Sequence, residues 1–361
     1  MTKKPTLRFR SDGSFKILQL TDMHIRDNDS LNDPAFALVE TLLDREQPDL
    51  VAFTGDIFCE DSYEDIERVW TKLDAILAAR NVPYTVAYGN HESDGDKGRQ
   101  HMLAEVLAKL PNAIFEAGAK EMGVGNYVTP VLASSEEKPA FLLYCLDSHP
   151  CTFRTYRPDG TSFTSEQYTW PEQLEWLENT HTALRTEHGA LPSLLFHHNP
   201  LPEFDYVWMF DGVYGAHSEM VCRAPINSGL FALLYRLTDF RGVFCGHDHS
   251  NSFAGDMMGI TLAYGRCSGN YRWCLWPHDH ADHNSAITQP TDGSAPYKDY
   301  FSRGGRVIVL DEASGKIVDN YVTLEDGTTE KGEYHPPMYK RFDYYLYGAP
   351  GTYGPNSGEE D

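Results

Sequence analysis

Positive charge is scarce in this sequence. Lys and Arg number 30 against 53 Asp and Glu, which gives a formal net charge of −23 over 361 residues. This balance disfavours non-specific binding to nucleic acid or to an anionic membrane surface, since both usually require a basic patch. No stretch approaches the roughly 18 consecutive apolar residues that a membrane-spanning helix needs. We therefore expect neither a nucleic-acid nor a membrane partner, and the composition leaves the oligomeric state open.

Paired cysteines are also lacking. The 7 cysteines are scattered along the chain and form no CxxC pair. An odd, dispersed set favours buried thiols in a reducing compartment over a disulfide framework or a thiolate zinc site. The first residues contain no apolar segment between the charged start and Asp12, so no signal peptide is predicted. We therefore expect a cytoplasmic protein.

Apolar residues are plentiful enough for a large core, at 41% of the chain, with 12% aromatic. In the first half, short apolar strands alternate with amphipathic helices, which is typical of a largely parallel sheet covered on both faces. The second half has more strands than helices and predicts a second sheet packed on the first. Predicted strands are 15–20, 49–53, 82–87, 126–132, 141–146, 193–196, 242–245, 260–264, 306–311 and 316–324; predicted helices are 34–47, 63–81, 99–110, 169–185 and 229–237.

No repeat or linker divides the chain, so a single domain over residues 1–361 is expected. Its core spans about 14–327, and a Pro-, Gly- and Tyr-rich C-terminal extension follows over 328–361. Three longer segments, 148–164, 205–224 and 276–300, are predicted insertions that shape a pocket.

Five short polar clusters each follow a predicted strand directly. Ligands of open α/β sheets bind beyond the carboxyl ends of strands, so these clusters are expected to meet in one crevice. Any one cluster alone has an ordinary turn as its alternative. Their carboxylate, imidazole and amide groups, with no sulfur, favour a divalent first-row metal over calcium or a structural zinc. The clusters are Asp22-Met23-His24, Gly55-Asp56, Gly89-Asn90-His91-Glu92, His197-His198-Asn199-Pro200 and Gly246-His247-Asp248-His249.

The motifs D-x-H, G-D, G-N-H-E, H-x-P and G-H-x-H, in this order, resemble those of the calcineurin-like metallophosphoesterase superfamily. The stretches FKILQLTDMH, HNPLPEF and GVFCGHDHSNSF resemble the branch of intracellular relatives of purple acid phosphatases. The resemblance covers roughly residues 14–327. It implies an α/β fold, a four-layer α-β-β-α sandwich of two mixed sheets flanked by helices.

The resemblance also implies a binuclear site for two divalent or mixed-valence ions, of Mn, Fe or Zn. Asp56 would bridge the two ions, since a carboxylate has two oxygens to share. Within the H-x-P motif the resemblance selects His198, and alternation along an extended segment turns its neighbour His197 the opposite way. The first ion would be held by Asp22, His24, Asp56 and His249, and the second by Asp56, Asn90, His198 and His247.

The activity implied is metal-dependent hydrolysis of a phosphoester by a metal-bridging hydroxide. His91 is the candidate general acid, and Glu92 is a candidate partner that orients it, with a solvated loop carboxylate as the alternative. True purple acid phosphatases carry a tyrosine three residues after the bridging aspartate. Cys59 stands there in this sequence, which argues against a purple ferric centre.

Candidate substrate contacts are Arg26, His149 and Arg266, for each of which a surface or packing role is the alternative. We expect a phosphomonoesterase acting on a phosphorylated small molecule or a phosphoprotein. A phosphodiesterase is the alternative within the enzyme class. A metal-bound binding or scaffold protein without catalysis is the alternative from another class.

Overall fold

A computed structural model describes residues 4–25, 33–58, 62–92, 99–119, 121–150, 168–269 and 302–339. Arg26, Cys59, the predicted insertion 276–300 and most of 148–164 lie outside these residues, as does the end of the C-terminal extension. Elements are numbered in chain order.

The residues of the first sequence half build most of a mixed sheet. Its strands β2 to β5 run parallel, as the β-α alternation predicts, and its late strands β13 and β14 are antiparallel. Within the described ranges the sheet has seven strands. In spatial order they are β15 (Thr329–Glu330), β14 (Lys316–Leu324), β13 (Gly304–Asp311), β2 (Ser14–Leu20), β3 (Leu50–Thr54), β4 (Tyr84–Ala87) and β5 (Ala113–Ile114).

A second mixed sheet contains nine strands in the described part of the chain. Its centre, from β7 through β8 and β10 to β12, is parallel. In spatial order the strands are β1 (Leu7–Arg8), β6 (Tyr127–Leu132), β7 (Pro139–Leu146), β8 (Ser193–His197), β10 (Phe240–Cys245), β12 (Ile260–Tyr264), β11 (Ala254–Met257), β9 (Val213–Tyr214) and β16 (Tyr334–His335).

Helices cover both sheets. The helices α1 (Asp33–Glu46), α2 (Tyr63–Ala78) and α3 (Arg99–Lys109) share a core with the seven-stranded sheet, where Trp70 packs edge-on against Phe53. The same core continues between the sheets to Phe196 and Phe244. A second core joins the nine-stranded sheet to α4 (Pro171–His188), α5 (Glu203–Phe210) and α6 (Leu230–Leu237). The predicted α-β-β-α sandwich is thereby confirmed.

Local sequence signals account for several element ends. Ser62 caps α2, because its side chain accepts a hydrogen bond from the backbone N–H of Asp65. The helix ends at Ala78, before its predicted end, and Asn81 beyond it has a left-handed φ of 56°. The prediction missed α5, although acidic Glu203 in its first turn and the buried Phe204 and Val207 carry a short helical signal.

No helix in the described ranges is long and apolar enough to span a membrane.

Candidate metal centre

The two sheets present their strand ends at a shared edge. Asp22 and His24 follow β2, Asp56 follows β3, and Asn90 and His91 follow β4 in the seven-stranded sheet; His198, His247 and His249 follow β8 and β10 in the other. Backbone hydrogen bonds join these loops. The N–H of His24 donates to the carbonyl of Asp56 at 2.9 Å, and the N–H of Gly246 donates to the carbonyl of His198, also at 2.9 Å.

One group of candidate ligands comprises Asp22, His24 and His249, whose donor atoms lie within 4.8 Å of one another. The Nε2 atoms of His24 and His249 are 3.0 Å apart, and Nε2 of His249 is 3.6 Å from Oδ1 of Asp22. All three side chains therefore point to one spot.

A second group comprises Asp56, His198 and His247. Nε2 of His198 lies 3.1 Å from Oδ2 of Asp56 and 3.3 Å from Nδ1 of His247. Asp56 also belongs to a further group with His24 and His91. Its carboxylate consequently lies between the two main groups, where a bridging ligand has to be.

The backbone at this centre is strained. Asp22, His24, Asp56 and His247 have φ values of 54°, 46°, 55° and 75°. The left-handed region costs a residue other than glycine about 1–2 kcal/mol. Such strain persists only where the surrounding structure enforces it, and it concentrates at functional sites.

Hydrogen bonds orient the candidate ligands from behind. Nδ1–H of His198 donates to the carbonyl oxygen of Thr54 at 2.7 Å, so Nε2 presents its lone pair to the cluster. Asp22 accepts from the hydroxyl of Thr21 at 2.8 Å and from the backbone N–H of His247 at 3.1 Å. These contacts hold the ring of His198 and the carboxylate of Asp22 in place.

The electrostatics of the cluster reflect buried charges in close contact. Burial raises the pKa of Asp22 to about 7, against the opposing effect of His198. Burial lowers the pKa of His198, but Asp56 and Asp22 outweigh it and raise the value to about 10. Burial and His198 together lower the pKa of His247 to about 3. Without a metal, the close approach of these groups therefore requires that some of them are protonated.

The donor set fits two divalent cations. Carboxylate and imidazole groups converge in two groups that share Asp56, and ionised carboxylates with neutral imidazoles are the forms that ligate metals. The Oδ1 atom of Asn90 is buried and has no hydrogen-bond partner in the described structure. An unsatisfied buried acceptor beside these groups is explained by a ligated cation.

His91 forms the open side of the cluster, since about one-third of its side chain is exposed (35%). Its backbone N–H donates to Oδ1 of Asp56 at 2.8 Å, and its Nε2 lies 3.9 Å from Oδ2 of the same carboxylate. Its ring packs edge-on against His24 with 4.9 Å between centroids.

Residues 15–251 of the chain match the family described as calcineurin-like phosphoesterase, which covers all five motifs. The chain belongs to the calcineurin-like phosphoesterase family. The resemblance found in the sequence is therefore confirmed.

Several named proteins are similar to this calcineurin-like phosphoesterase. Probable inactive purple acid phosphatase 14 of Arabidopsis thaliana is 30% identical over 303 residues, 73% of this chain and 72% of that protein. Phosphatase DCR2 of Saccharomyces cerevisiae is 32% identical over 276 residues, 68% of this chain and 46% of that protein. The solved structure of GAP50, the anchor in the inner membrane complex of Plasmodium, has a TM-score of 0.51 and 11% identity, with 96% of this chain and 99% of that chain covered. That likeness shows the fold alone.

The phosphoesterase uses Glu92 differently from the sequence-based prediction. The side chain is fully buried, and its oxygens accept backbone N–H groups from Asp56, Ile57 and Gly89, each at 2.8 Å. With both oxygens engaged in this way, Glu92 joins the β3 and β4 loops and does not orient the ring of His91. The assignment of Glu92 as a partner of His91 is corrected accordingly.

Two predicted substrate contacts are buried among other side chains. His149 is buried, stacks on Trp170 at 3.8 Å, and has its ring nitrogens at Gln173 (2.9 Å) and Asp147 (3.5 Å). A ring enclosed in this way does not reach a substrate, so that prediction is wrong.

Arg266 is also buried, with Nε donating to the carbonyl of Ser302 at 2.5 Å and Nη1 to the hydroxyl of Ser252 at 3.2 Å. It lines a separate cavity of about 450 Å³ that also contains Trp208 and His217. These hydrogen bonds hold the guanidinium against Ser302 and Ser252, and a phosphate contact by Arg266 stays a prediction. Arg26 lies outside the described residues.

Sequence reasoning missed Ser148. Its hydroxyl oxygen accepts the backbone N–H groups of His198 and Asn199, at 2.9 and 3.1 Å. It thus holds the loop that presents His198. The available signal was its place two residues after β7, at the same sheet edge as the five motifs.

Proposed function

We propose that this calcineurin-like phosphoesterase is an active, metal-dependent phosphomonoesterase. The observation that carries the proposal is the position of Asp56 between two groups of candidate ligands, with the partly exposed His91 beside it. Among the described residues the side chain of His91 is more exposed (35%) than that of His249 (16%), and Asp22, Asp56 and His198 are buried, which supports entry of a substrate on the His91 side.

The residues that would hold the metals are Asp22, His24, Asp56 and His249 for one ion, and Asp56, Asn90, His198 and His247 for the other. When bound there, two divalent ions would supply an activated water molecule at neutral pH and positive charge beside the phosphoryl oxygens. The nitrogen and oxygen donors favour Mn, Fe or Zn. The chain contributes the positions of these donors, which the hydrogen bonds of Thr54 and Thr21 maintain.

His91 is proposed as the general acid. Its ring packs edge-on against His24 and about one-third of its side chain is exposed (35%), so it can contact both the cluster and a phosphoester. Its Nε2 lies 3.9 Å from Oδ2 of Asp56, and the protonated imidazole would donate its proton to the leaving oxygen. The reaction chiefly requires positioning and charge stabilisation, and these groups supply both.

Two alternatives remain distinguishable from this proposal. A diesterase is the alternative within the enzyme class, and it needs less positive charge beside the metals, since a diester carries one negative charge fewer than a monoester. A non-catalytic metal protein is suggested by the word inactive in the name of the Arabidopsis relative. The chain has every metal-ligating residue that the family resemblance predicts, and it has His91. Their presence supports catalysis.

The experiment compares hydrolysis of p-nitrophenyl phosphate and bis-p-nitrophenyl phosphate by Mn²⁺-reconstituted protein. Asp56→Asn should abolish turnover, whereas Asp44→Asn, an exposed carboxylate paired with Arg80, should leave it unchanged. A diester preference would replace the proposal with the diesterase. No turnover on either substrate, with metals verified as bound, would favour the binding protein.

We also propose a single domain and a cytoplasmic location. Both hydrophobic cores use the nine-stranded sheet, which supports one folding unit.

The described cysteines Cys145, Cys222, Cys245 and Cys267 are free thiols, which is compatible with a reducing compartment. The net charge of −23 argues against nucleic acid or an anionic membrane as a partner, whereas the family supports a phosphorylated small molecule or a phosphoprotein as substrate. Fractionation of cells expressing the protein tests the location.

A further inference from the structure

A small cavity lies next to the metal centre, at the carboxyl end of β8. It is bounded by His197 and Asn199 from the β8 loop, by Glu203 at the start of α5, and by Leu230 at the start of α6. Its volume is about 10 Å³. That is room for one guest of the size of a water molecule or a metal ion.

Four polar side-chain atoms of these lining residues lack partners. They are Nε2 of His197, Oδ1 and Nδ2 of Asn199, and Oε2 of Glu203; each is buried and makes no hydrogen bond. Buried polar groups in native proteins nearly always have a partner, because each unsatisfied group costs about 1–3 kcal/mol. Four such atoms around one cavity therefore indicate a bound guest.

Three of these four atoms are acceptors. Nδ1–H of His197 donates to the carbonyl of Asn199 at 2.7 Å, so in the neutral ring Nε2 carries a lone pair. Oε1 of Glu203 accepts from Asn227 at 3.2 Å, which leaves Oε2 as the unsatisfied oxygen. The amide of Asn199 adds one further acceptor and the only donor of the set. A guest that suits this environment is electron-poor.

Charge distinguishes a cation from a water molecule. In the described part of the chain Glu203 forms no salt bridge, and the nearby Arg223 is paired with Asp205 at 2.6 Å. A water molecule would satisfy lone pairs but add no positive charge beside the buried carboxylate, whose one charged neighbour among the described contacts, Arg223, is shared with Asp205. A cation satisfies the acceptors and the charge together.

We propose that His197, Asn199 and Glu203 bind a divalent first-row transition ion, separate from the two groups that share Asp56. The imidazole nitrogen in the set favours an ion such as Zn²⁺ over Mg²⁺ or Ca²⁺. His197, which points away from the main centre, thereby acquires a ligand role of its own. The inference is independent of the proposed hydrolysis, since it concerns binding alone.

Metal counting tests the proposal. Each protein is stripped of metal with a chelator, dialysed against Zn²⁺ and freed of excess Zn²⁺. The wild type should then hold one ion more than Glu203→Gln or His197→Phe. The matched control is Asp205→Asn, two residues further along α5, which should keep the wild-type count. Equal counts in the wild type and both variants would overturn the proposal. Glu203→Gln is nearly isosteric and serves if His197→Phe fails to fold, as checked by circular dichroism.

Anomalous diffraction at the zinc edge locates the ion directly. A peak bounded by His197, Asn199 and Glu203 is the expected result. Density for a water molecule there, with no anomalous signal while the Asp56 centre shows one, would overturn the proposal. If the protein shows no phosphatase activity but retains this peak, the proposed function is refuted and the proposal of a third ion is supported.

Discussion

Nε2 of His198, on the nine-stranded sheet, lies 3.1 Å from Oδ2 of Asp56, on the seven-stranded sheet. This contact spans the sandwich at the edge where the strand ends meet. Its geometry is maintained on one side by the Thr54 carbonyl behind His198 and on the other by Glu92 behind the Asp56 backbone.

Replacing Glu92 with Gln should weaken the centre without replacing a candidate ligand. Glutamine retains one of the oxygens that accept the N–H groups of Asp56, Ile57 and Gly89, so at least one buried N–H loses its partner. We expect unfolding free energy to fall by about 1–3 kcal/mol and metal affinity to fall by about 10–100-fold. Urea denaturation and metal titration measure these effects. Unchanged metal affinity would contradict the assigned role.

Replacing His91 with Ala should separate catalysis from metal binding. The bound metal count should stay at the wild-type value, and kcat should fall by about 10²–10⁴-fold, the usual contribution of a general acid. The loss should be larger for an alkyl phosphate than for p-nitrophenyl phosphate, since p-nitrophenolate leaves without protonation. Equal losses on both substrates would argue for a binding role of His91.

Gly89→Ala should disrupt the candidate metal centre by steric collision. A Cβ at this position would overlap Oδ1 of Asp56 and approach the ring of His198 to 2.9 Å. Gly189→Ala is the control: its left-handed φ of 85° suits alanine less well than the backbone of Gly89, whose φ is not positive, but nothing lies within 4 Å of the added carbon. We expect loss of metal binding in Gly89→Ala alone, measured by equilibrium dialysis. Normal metal content in Gly89→Ala would show that the cluster relaxes freely.

Metal uptake should release protons. In the metal-free protein the pKa of His198 is raised to about 10 and that of Asp22 to about 7, so at pH 7 His198 is protonated and Asp22 partly so. Metals bind the deprotonated forms, and apparent affinity should therefore increase as the pH rises from 6 to 8. Calorimetry in buffers of different ionisation enthalpy measures the protons released. An affinity independent of pH would contradict this coupling.

Chelation should remove both activity and part of the stability. A metal that binds only the folded state stabilises it by about 2.7 kcal/mol at a free concentration 100 times its dissociation constant. EDTA should accordingly lower the thermal midpoint and abolish turnover, and Mn²⁺ should restore both. Full turnover after verified metal removal would refute the proposed mechanism.

The sequence by itself determined the ligand types and their places at strand ends. Asp22, Asp56 and His247 each follow an apolar strand. Both the strands and the polar residues at their ends are evident from the local sequence, and parallel strands end at the same edge of a sheet. The helix cap at Ser62 and the opposed directions of His197 and His198 are likewise local properties, set by hydrogen bonding and by strand alternation.

Only the tertiary structure decided which side chains meet. Glu92 is adjacent to His91 in the chain yet bonds to the β3 loop, and His149 follows a strand at the same edge yet is enclosed by Trp170 and Gln173. The partner of a buried polar group is whichever group the packing of distant elements brings within about 3 Å. That depends on how two sheets and their helices stack, which no local pattern contains. The unpartnered atoms of His197 and Glu203 became evident for the same reason.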